Sequence, residues 1–253
     1  MKVLITGGAS GLGLALTQAS LARGHQVCVL DIAPCPPDLA SSALVWMAHD
    51  MACDDPVDWD GLAARLAPLG PFDLVILNAG ISATGPFEDI PPETHLRVSS
   101  VNLQASLQLS ALLIRHDAIA QAGRLVFVAS LSYFMGYPGA ASYAASKDGL
   151  VSFARSLRAP LRKRMKIAVQ AACPGPMDTP HAALHAPKGS DASRRMDPAL
   201  VARAILDAGH RRFWILPGTG TKAAAALGRS FPQLSTKLMG RLLFEKLKTD
   251  RSQ

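Results

Sequence analysis

The chain has 253 residues, of which 49% are hydrophobic and 18% charged, a composition typical of a folded protein with a large core and not of a disordered one. No uninterrupted apolar run approaches the roughly 18–20 residues that a membrane-spanning helix needs. The N-terminal sequence MKVLITGG begins a strand pattern directly, which predicts that no signal peptide is present.

The formal net charge of +7 is unevenly distributed along the chain. Residues 221–253 carry +5, residues 155–166 carry +6, and the remainder sums to −4. Basic segments on a mildly acidic body can attract nucleic acid, anionic lipid or a charged cofactor. Neither segment has the aromatic interleaving or motif spacing of a nucleic-acid module. Solvated helix faces are therefore the favoured interpretation, and no nucleic-acid partner is predicted.

The cysteine pattern bears on compartment and on metal binding. The four cysteines, Cys28, Cys35, Cys53 and Cys173, have no CxxC or other metal-like spacing. We therefore expect ordinary reduced thiols in a cytoplasmic protein, and no metal site.

Apolar, β-branched runs alternate with helical patterns along the chain. Strands are predicted at residues 2–7, 26–31, 43–48, 72–80, 124–130, 166–175 and 211–218, and helices at 11–23, 92–116, 142–164 and 197–209. Continuous apolar strands separated by helices indicate a parallel sheet covered on both faces. The predicted fold is a single doubly wound, Rossmann-type α/β domain over residues 1–253, with its core at 1–218.

Two segments depart from this alternation. Residues 179–196 are rich in Ala, Pro, Gly and Ser and predict a flexible loop or a short helix. The C-terminal segment 219–253 predicts an amphipathic helical tail, with a leucine stripe and basic residues elsewhere: Leu234, Leu238, Leu242, Leu243 and Leu247 against Lys237, Arg241, Lys246 and Lys248. Such a tail can pack on its own body, form a dimer contact or lie on a membrane surface; self-packing is the favoured interpretation.

The segment ITGGASGLG links the first predicted strand to the first predicted helix. Gly7, Gly11 and Gly13 allow a sharp turn and let a pyrophosphate approach the free N–H groups of the helix N-terminus. Their spacing is GxxxGxG and not the GxGxxG of the general dinucleotide fingerprint. The position between strand and helix is therefore what favours a dinucleotide site.

Asp31 ends the second predicted strand, eighteen residues beyond Gly13. A carboxylate there can accept hydrogen bonds from both hydroxyls of an adenosine ribose and would repel a 2′-phosphate. Ser10 and Ile32, where a compensating basic residue could sit, are uncharged. We therefore predict NAD(H) as the cofactor over NADP(H); the alternative is that Asp31 is only a strand-end turn residue.

Tyr143 and Lys147 form a YxxxK pattern in a segment of small residues. A free tyrosine has a pKa near 10, and residues four apart share one face of a helix. A positive charge about 4 Å away, at an effective dielectric near 20, is worth about 4 kcal/mol. That would bring the pKa of the Tyr143 phenol down toward physiological pH, so that Tyr143 takes a proton from an alcohol or gives one to a carbonyl.

Five features, in order, resemble the short-chain dehydrogenase/reductase family: TGGASGLG, NAG at 78–80, Ser130 thirteen residues before Tyr143, the YxxxK, and PGPMDT at 174–179. The resemblance runs from residue 2 to about 218, and the ordered set is far more specific than any one motif. It implies an NAD(H)-dependent oxidoreductase that interconverts a secondary alcohol and a ketone or aldehyde, with the hydride carried by the cofactor.

The resemblance also implies roles for individual residues. Tyr143 is the general acid/base, Ser130 hydrogen-bonds the substrate oxygen, and Lys147 holds the nicotinamide ribose. Asn102, in SVNLQAS, supports a water that links Lys147 to solvent; the alternative is an amide bonded to backbone. Ser132 is a rival to Ser130. The implied cofactor contacts are Gly7, Ser10, Gly11, Leu12, Gly13, Asp31, Ile32, Asp50, Met51, Asn78, Ala79, Gly80, Tyr143, Lys147, Pro174, Gly175, Met177 and Thr179.

The chain departs from the family pattern in three places. Leu77 replaces the first Asn of the usual NNAG, and Tyr133 stands where glycine is common. The tail exceeds the short ending of the family's tetramers, so a homodimer and a homotetramer both stay open.

A substrate pocket is predicted from residues 131–140, the loop after Thr179 and the tail. Aromatic and apolar residues in the first of these segments favour an apolar or aromatic alcohol or ketone: Tyr133, Phe134, Met135 and Tyr137. His181 and His185 could reach a polar end of the substrate, although loop histidines are more often solvated.

Rival functions are an NADPH-dependent carbonyl reductase, a dinucleotide-sensing regulator without turnover, and a basic nucleic-acid-binding protein. A sensor has no reason to keep Ser130, Tyr143, Lys147 and Asn102 together, so an enzyme with a small-molecule substrate is predicted. Peripheral membrane contact through the tail stays open as a partner.

Overall fold

The computed structural model describes residues 1–53, 55–186 and 191–241. Within them a sheet is formed by β1 (Lys2–Thr6), β2 (Gln26–Asp31), β3 (Leu44–Ala48), β4 (Phe72–Leu77), β5 (Ile119–Val128), β6 (Ala168–Ala172) and β7 (Trp214–Ile215). All neighbouring strands pair in parallel, in the order β3-β2-β1-β4-β5-β6-β7. The predicted doubly wound parallel sheet is therefore confirmed.

Helices alternate with the strands along the described chain. They are α1 (Gly11–Ala22), α2 (Pro56–Leu66), α3 (Pro92–Ser99), α4 (Ala105–Arg115), α5 (Ser132–Met135), α6 (Ala141–Met165), α7 (Pro180–His185), α8 (Pro198–Leu206), α9 (Thr219–Ser230) and α10 (Pro232–Met239). Helix α2 was not predicted from the sequence. The short α7 is the second of the two alternatives predicted for residues 179–196.

The side chains of β1 show how the sheet is covered on both faces. Val3 and Ile5 pack into a core with α1 and α8, whereas Leu4 packs into a second core with α2, α4 and α6. This is the period-two alternation of a strand. All three side chains are fully buried, and each such burial contributes about 1.5–3 kcal/mol relative to exposure.

The chain leaves the carboxyl ends of β1 and β4, which are neighbours in the sheet, toward opposite faces. The chain leaving β1 enters α1 on one face, whereas the chain leaving β4 leads to α4 on the other. Ligands of open parallel sheets bind in the crevice at this switch point. The loops that follow β1, β4, β5 and β6 all meet there.

The predicted helix at 92–116 is interrupted. Helix α3 ends at Ser99, a π-helical turn spans Ser100–Gln104, and α4 begins at Ala105. A π turn holds one extra residue and re-aims the side chains within it, which is why such turns are frequent at functional sites. Here the turn contains Asn102, whose side-chain amide bonds the backbone of Ile81 and the hydroxyl of Ser146.

The last predicted strand, at 211–218, is much shorter than expected. Only Trp214 and Ile215 pair, with Ala171 and Ala172 of β6. The strand lies at the sheet edge, with a turn closed by Arg212 N–H on Gly209 O before it. Pro217, which lacks an N–H, follows and cannot extend the ladder.

The tail forms two helices instead of one. Phe231 adopts φ −136° and ψ 64° between α9 and α10, as a residue before proline tends to do because it avoids the helical region. The predicted positions Leu242, Leu243, Lys246, Leu247 and Lys248 lie outside the described residues. No helix in the described part of the chain is long and apolar enough to cross a bilayer.

The prediction that the tail packs on its own body is only partly right. Ser235 is buried and the Thr236 hydroxyl donates to Met135 O at 3.0 Å. A Cβ on Gly228 of α9 would overlap the carbonyl of Phe134, so α9 also approaches α5 closely. The leucines do not make these contacts: Leu234 and Leu238 are 61% and 43% exposed.

Candidate active site

The carboxyl ends of β1 and β4 are tied together by Thr6 and Asn78. The Thr6 hydroxyl accepts the N–H groups of Asn78 and Ala79 at 2.9 and 3.0 Å. In return, the Asn78 amide donates to the carbonyls of Thr6 and Gly7 at 3.0 and 3.1 Å. Thr6 was not predicted as a site residue, yet it sets the shape of the switch point.

The glycine turn after β1 requires glycine at two positions for different reasons. Gly7 has φ +71°, a conformation that residues with a Cβ rarely adopt. A Cβ on Gly13 would overlap the carbonyl oxygen of Gly7, because the helix begins directly against the turn. The first turn of α1 carries no acidic side chain, so its N–H groups and dipole are free to attract a phosphate. The turn therefore fits a pyrophosphate.

Asp31 lies where β2 ends, beside the same turn. Its Oδ2 accepts Ala9 N–H at 2.8 Å and its Oδ1 accepts Ala33 N–H at 2.9 Å. Each carboxylate oxygen keeps a further lone pair that ribose hydroxyls can use. Ile32 beside it is 66% exposed and uncharged, so Asp31 sets the local charge.

The next strand end supplies the neighbouring wall. Asp50 Oδ1 accepts Ala52 N–H at 2.9 Å, a local turn that orients the backbone of Met51. The ring of His49 is buried beside Trp59, and its Nδ1 lies 3.2 Å from Asp58 Oδ2. Burial lowers the pKa of His49, which keeps the imidazole neutral at pH 7. This contact ties α2 to the part of the cavity wall that follows β3.

Ser130, Tyr143 and Lys147 line one wall of the cavity. Ser130 follows β5, and its Oγ accepts Ser132 N–H at 3.1 Å. A hydroxyl that already accepts such a bond has its own proton free to donate elsewhere. Ser132 also lines the cavity, with a buried Oγ that has no partner among the described residues.

The protonation of Tyr143 differs from the expectation. Burial raises the pKa of Tyr143 to about 12, although a hydrogen bond with the Ser130 side chain acts to lower it. The Lys147 ammonium lies 5.8 Å from the centre of the Tyr143 ring. The prediction that Lys147 brings the pKa of Tyr143 toward neutrality is therefore wrong for the protein on its own: Tyr143 is a phenol at pH 7.

Lys147 is itself almost completely buried. Its Nζ donates to Val128 O at 2.8 Å, and the side chain is 4% exposed. Burial lowers the pKa of Lys147 to about 8. A Cβ on Gly80 would lie 3.1 Å from this Nζ, so the small residue makes room for the ammonium.

Asn102 lies behind this wall and not on it. Its Oδ1 accepts Ile81 N–H at 2.8 Å, and its Nδ2 donates to Ile81 O at 2.9 Å and to Ser146 Oγ at 3.0 Å. This matches the alternative interpretation, an amide bonded to backbone. The amide also fixes the loop after β4 against α6. The role of Asn102 in supporting a water stays a prediction.

These elements enclose one cavity of about 560 Å³. Of the predicted catalytic and cofactor residues, only Gly13 and Asn102 do not line it. Lining residues outside the predicted segments include Ile81, Ser82, Arg97 and Val101, whereas Arg195 and Met239 lie in the loop after Thr179 and in the tail, which were predicted to contribute.

The aromatic residues predicted for the substrate pocket divide into two groups. Met135 and Tyr137 line the cavity, whereas Tyr133 and Phe134 do not. The rings of Tyr133 and Phe134 pack on Trp214 at 5.5 and 5.0 Å, and Arg155 stacks on Tyr133 and Trp214. Tyr133 and Phe134 therefore belong to the core, which was the alternative interpretation.

Helix α7 brings His181 and His185 to the opposite side of the cavity. Thr179 caps the helix by accepting Ala182 N–H at 3.1 Å, and His185 Nδ1 lies 3.4 Å from Thr84 Oγ1 across the opening. Burial, helped by His185 and Lys147, lowers the pKa of His181 to about 4. Both histidines are therefore neutral at pH 7 and can hydrogen-bond without carrying charge.

The switch-point turn, the carboxylate at the end of β2 and the shared cavity define a dinucleotide-binding α/β protein. The chain belongs to the short chain dehydrogenase family, because the sequence model of that family matches residues 1–188. It is accordingly an NAD(P)-dependent dehydrogenase/reductase acting on CH–OH groups.

Three similar proteins illustrate the range of the family. A 1-deoxy-11-beta-hydroxypentalenate dehydrogenase from Streptomyces avermitilis is 33% identical, over 90% of this chain and 87% of its own. A 3-ketoacyl-(acyl-carrier-protein) reductase from Brucella melitensis, solved with NADH, has a TM-score of 0.70 and 26% identity, covering 81% of this chain and 88% of that one. A variant of actinorhodin polyketide ketoreductase, solved with NADPH, has a TM-score of 0.70 and 25% identity, covering 88% and 92%.

Proposed function

We propose that this chain interconverts a secondary alcohol and a ketone with NAD(H), on a substrate that is largely apolar around the reacting carbon, with Tyr143 as general acid/base. One observation carries the proposal: Ser130, Tyr143 and Lys147 share a cavity wall with the glycine turn and Asp31. A dinucleotide bound in that cavity supplies or accepts the hydride. The remaining chemistry, proton transfer and orientation, falls to the side chains of this chain.

Proton transfer is assigned to Tyr143 in this proposal. In reduction, the Tyr143 phenol donates its proton to the carbonyl oxygen as that oxygen gains negative charge. In oxidation, the same atom accepts the proton of the alcohol. Ser130 donates a hydrogen bond to the substrate oxygen, because its Oγ is already oriented by Ser132 N–H.

Lys147 supports this step electrostatically. Its ammonium is held by Val128 O and is buried, so its charge is weakly screened. A positive charge there favours the phenolate of Tyr143 at the moment the proton leaves. Lys147 also has further N–H groups for ribose hydroxyls.

The cofactor preference is assigned to Asp31. The similar structures include one with NADH and one with NADPH, so the family allows both. Asp31 places a negative charge beside the glycine turn, and neither Ser10 nor Ile32 offsets it. A 2′-phosphate brought to that charge would be repelled, which costs several kcal/mol in protein interfaces.

We therefore expect kcat/KM with NADH to exceed that with NADPH by about a hundredfold. Replacing Asp31→Ser together with Ile32→Arg should reverse the preference, because an arginine can hold the phosphate. Asp38→Ser, outside the cavity, is the matched control and should change neither value. A wild-type preference for NADPH would make the chain an NADPH-dependent carbonyl reductase and refute the role of Asp31.

The substrate class follows from the wall around Tyr143. Met135, Tyr137, Ile81, Ala182 and Met239 supply apolar surface there. Polar side chains also line the cavity, among them the neutral histidines of α7, Arg97 of α3 and Arg195. A substrate with apolar or aromatic substituents beside the reacting carbon and a polar end farther away matches this arrangement.

A panel of alcohols oxidised with NAD⁺ tests the substrate class. We expect kcat/KM for steroid, aromatic or long aliphatic secondary alcohols to exceed that for sugars and hydroxy acids by at least about tenfold, since each buried CH₂ contributes about 0.8 kcal/mol. The panel should be repeated with ketones and NADH to give the favoured direction. Activity confined to small charged sugars or hydroxy acids would refute the apolar substrate and leave the oxidoreductase assignment standing.

A further inference from the structure

The outer side of the tail helices carries a row of exposed apolar side chains, which we name the tail stripe: Leu227, Phe231, Leu234 and Leu238. They are 42%, 57%, 61% and 43% exposed. Leu227 lies in α9, Phe231 at the junction of the two helices, and Leu234 and Leu238 one turn apart on one face of α10. At the junction, Phe231 N–H donates to Leu227 O and the Phe231 carbonyl accepts Ser235 N–H.

Exposed basic side chains lie on the same two helices and just after them. Lys222, Arg229, Lys237 and Arg241 are all exposed, and the segment 219–241 contains no Asp or Glu. None of the four forms an ion pair with a described residue. The segment therefore presents apolar side chains and four positive charges to its surroundings.

The inner side of α10 fixes which way the stripe points. Ser235 is 1% exposed, and the Thr236 hydroxyl is bonded to Met135 O. Met239 lines the catalytic cavity. Since these residues anchor α10 on the body of the protein, Leu234 and Leu238 are held outward and cannot turn in without breaking those contacts.

We infer that the tail stripe docks on the surface of an anionic lipid bilayer. Leucine and phenylalanine enter the boundary between headgroups and acyl chains, and lysine and arginine stay at the level of the phosphates. Each such basic residue contributes about 1 kcal/mol at an anionic surface. Docking is peripheral, because none of the described helices can cross a bilayer.

A second copy of the chain fits this surface less well. Two tail stripes brought face to face would place the four basic residues of one copy near those of the other, and like charges facing each other cost free energy. An anionic surface removes that cost and also accepts the apolar side chains. Helix α10 would then carry the docking face on one side and a wall of the cavity on the other. The inference does not depend on the proposed substrate or cofactor.

Flotation of the full-length protein with vesicles tests the docking. We expect it to bind vesicles of phosphatidylcholine mixed with phosphatidylglycerol at low salt, to bind phosphatidylcholine alone weakly, and to be released at high salt. Leu234→Ser with Leu238→Ser should lower binding at least about tenfold. Arg229→Glu with Lys237→Glu should lower it by about fivefold or more for each charge, which is 1 kcal/mol converted.

Matched controls separate docking from general surface effects. Leu96→Ser with Leu200→Ser removes two leucines that are 69% and 41% exposed on α3 and α8. Arg162→Glu with Lys163→Glu reverses two charges at the end of α6. Both should bind vesicles as the wild type does, and circular dichroism confirms that each variant is folded.

Three results would overturn the docking. The first is no binding of the wild type to anionic vesicles at low salt, which needs no variant to fold. The second is unchanged binding of the double leucine variant, which would mean that only the basic residues bind the vesicles. The third is a loss of oligomer mass in that variant without vesicle binding by the wild type, which would assign the stripe to a second copy.

Discussion

Replacing Tyr143→Phe should lower kcat by about a thousandfold while the affinity for NADH stays within about threefold of the wild type. Phenylalanine keeps the ring, which is partly buried in the cavity wall, and removes the hydroxyl whose proton moves. Because burial raises the pKa of Tyr143 to about 12, the wild type holds the phenol at neutral pH, the form that reduction consumes. Oxidation needs the phenolate, so its rate in the wild type should rise with pH while the reduction rate does not. Steady-state kinetics in both directions and NADH fluorescence measure these effects.

Tyr133→Phe is the control for this experiment. It deletes the same hydroxyl from a ring that packs on Trp214 outside the cavity, so kcat should stay within about twofold of the wild type. Tyr137→Phe is a second, closer control, since its ring lies 6.2 Å from that of Tyr143 and also lines the cavity. Turnover by Tyr143→Phe at the wild-type rate would exclude Tyr143 as the proton donor and point to another cavity group.

The fold could be predicted because most of its strands are buried on both faces. β2 begins and ends where the sequence indicated, and β1 and β3 agree within one residue, since continuous apolar runs have clear ends. The short length of β7 could not be predicted, because an edge strand pairs only as far as its single neighbour allows. The π turn at Ser100–Gln104 could not be predicted either, since its residues keep a helical pattern and only the distant Ile81 explains its shape.

In the site, too, features set by the local sequence could be predicted, whereas features set by distant contacts could not. Strand-end residues such as Asp31 and Ser130 could be placed together, because parallel strands end at one edge of the sheet. The packing of the Tyr133 ring and the position of Met239 in the cavity wall could not be predicted. Tyr133 is set by a contact with Trp214, about eighty residues away in sequence, and Met239 by where α10 packs. The pKa of Tyr143 was misjudged because proximity to Lys147 was counted and burial was not.

Lys147→Met should abolish most activity and yet stabilise the fold, and this combination separates a functional lysine from a structural one. Lys147 is 4% exposed as a residue, and burial lowers its pKa from 10.5 to about 8. Holding its charge at pH 7 therefore costs the folded state about 3 kcal/mol. Methionine fills a similar volume without that cost, although Val128 O loses a donor, worth about 1 kcal/mol. A net gain of about 2 kcal/mol is expected, with kcat/KM lower by at least about a hundredfold.

The gain in stability from Lys147→Met should depend on pH, and the lowered pKa of Lys147 fixes the direction of that dependence. Below pH 8, Lys147 is charged in both the folded and the unfolded wild type, and the cost is fully present. Between pH 8 and 10.5 the folded state has released the proton and the unfolded state keeps it, so wild-type stability rises with pH relative to the variant. Urea unfolding at pH 7 and pH 10 should therefore show the variant's advantage shrinking. Lys163→Met on the exposed face of α6 should show no such change. A variant that is less stable at pH 7, or an advantage equal at both pH values, would mean that the buried charge is offset by contacts other than Val128 O.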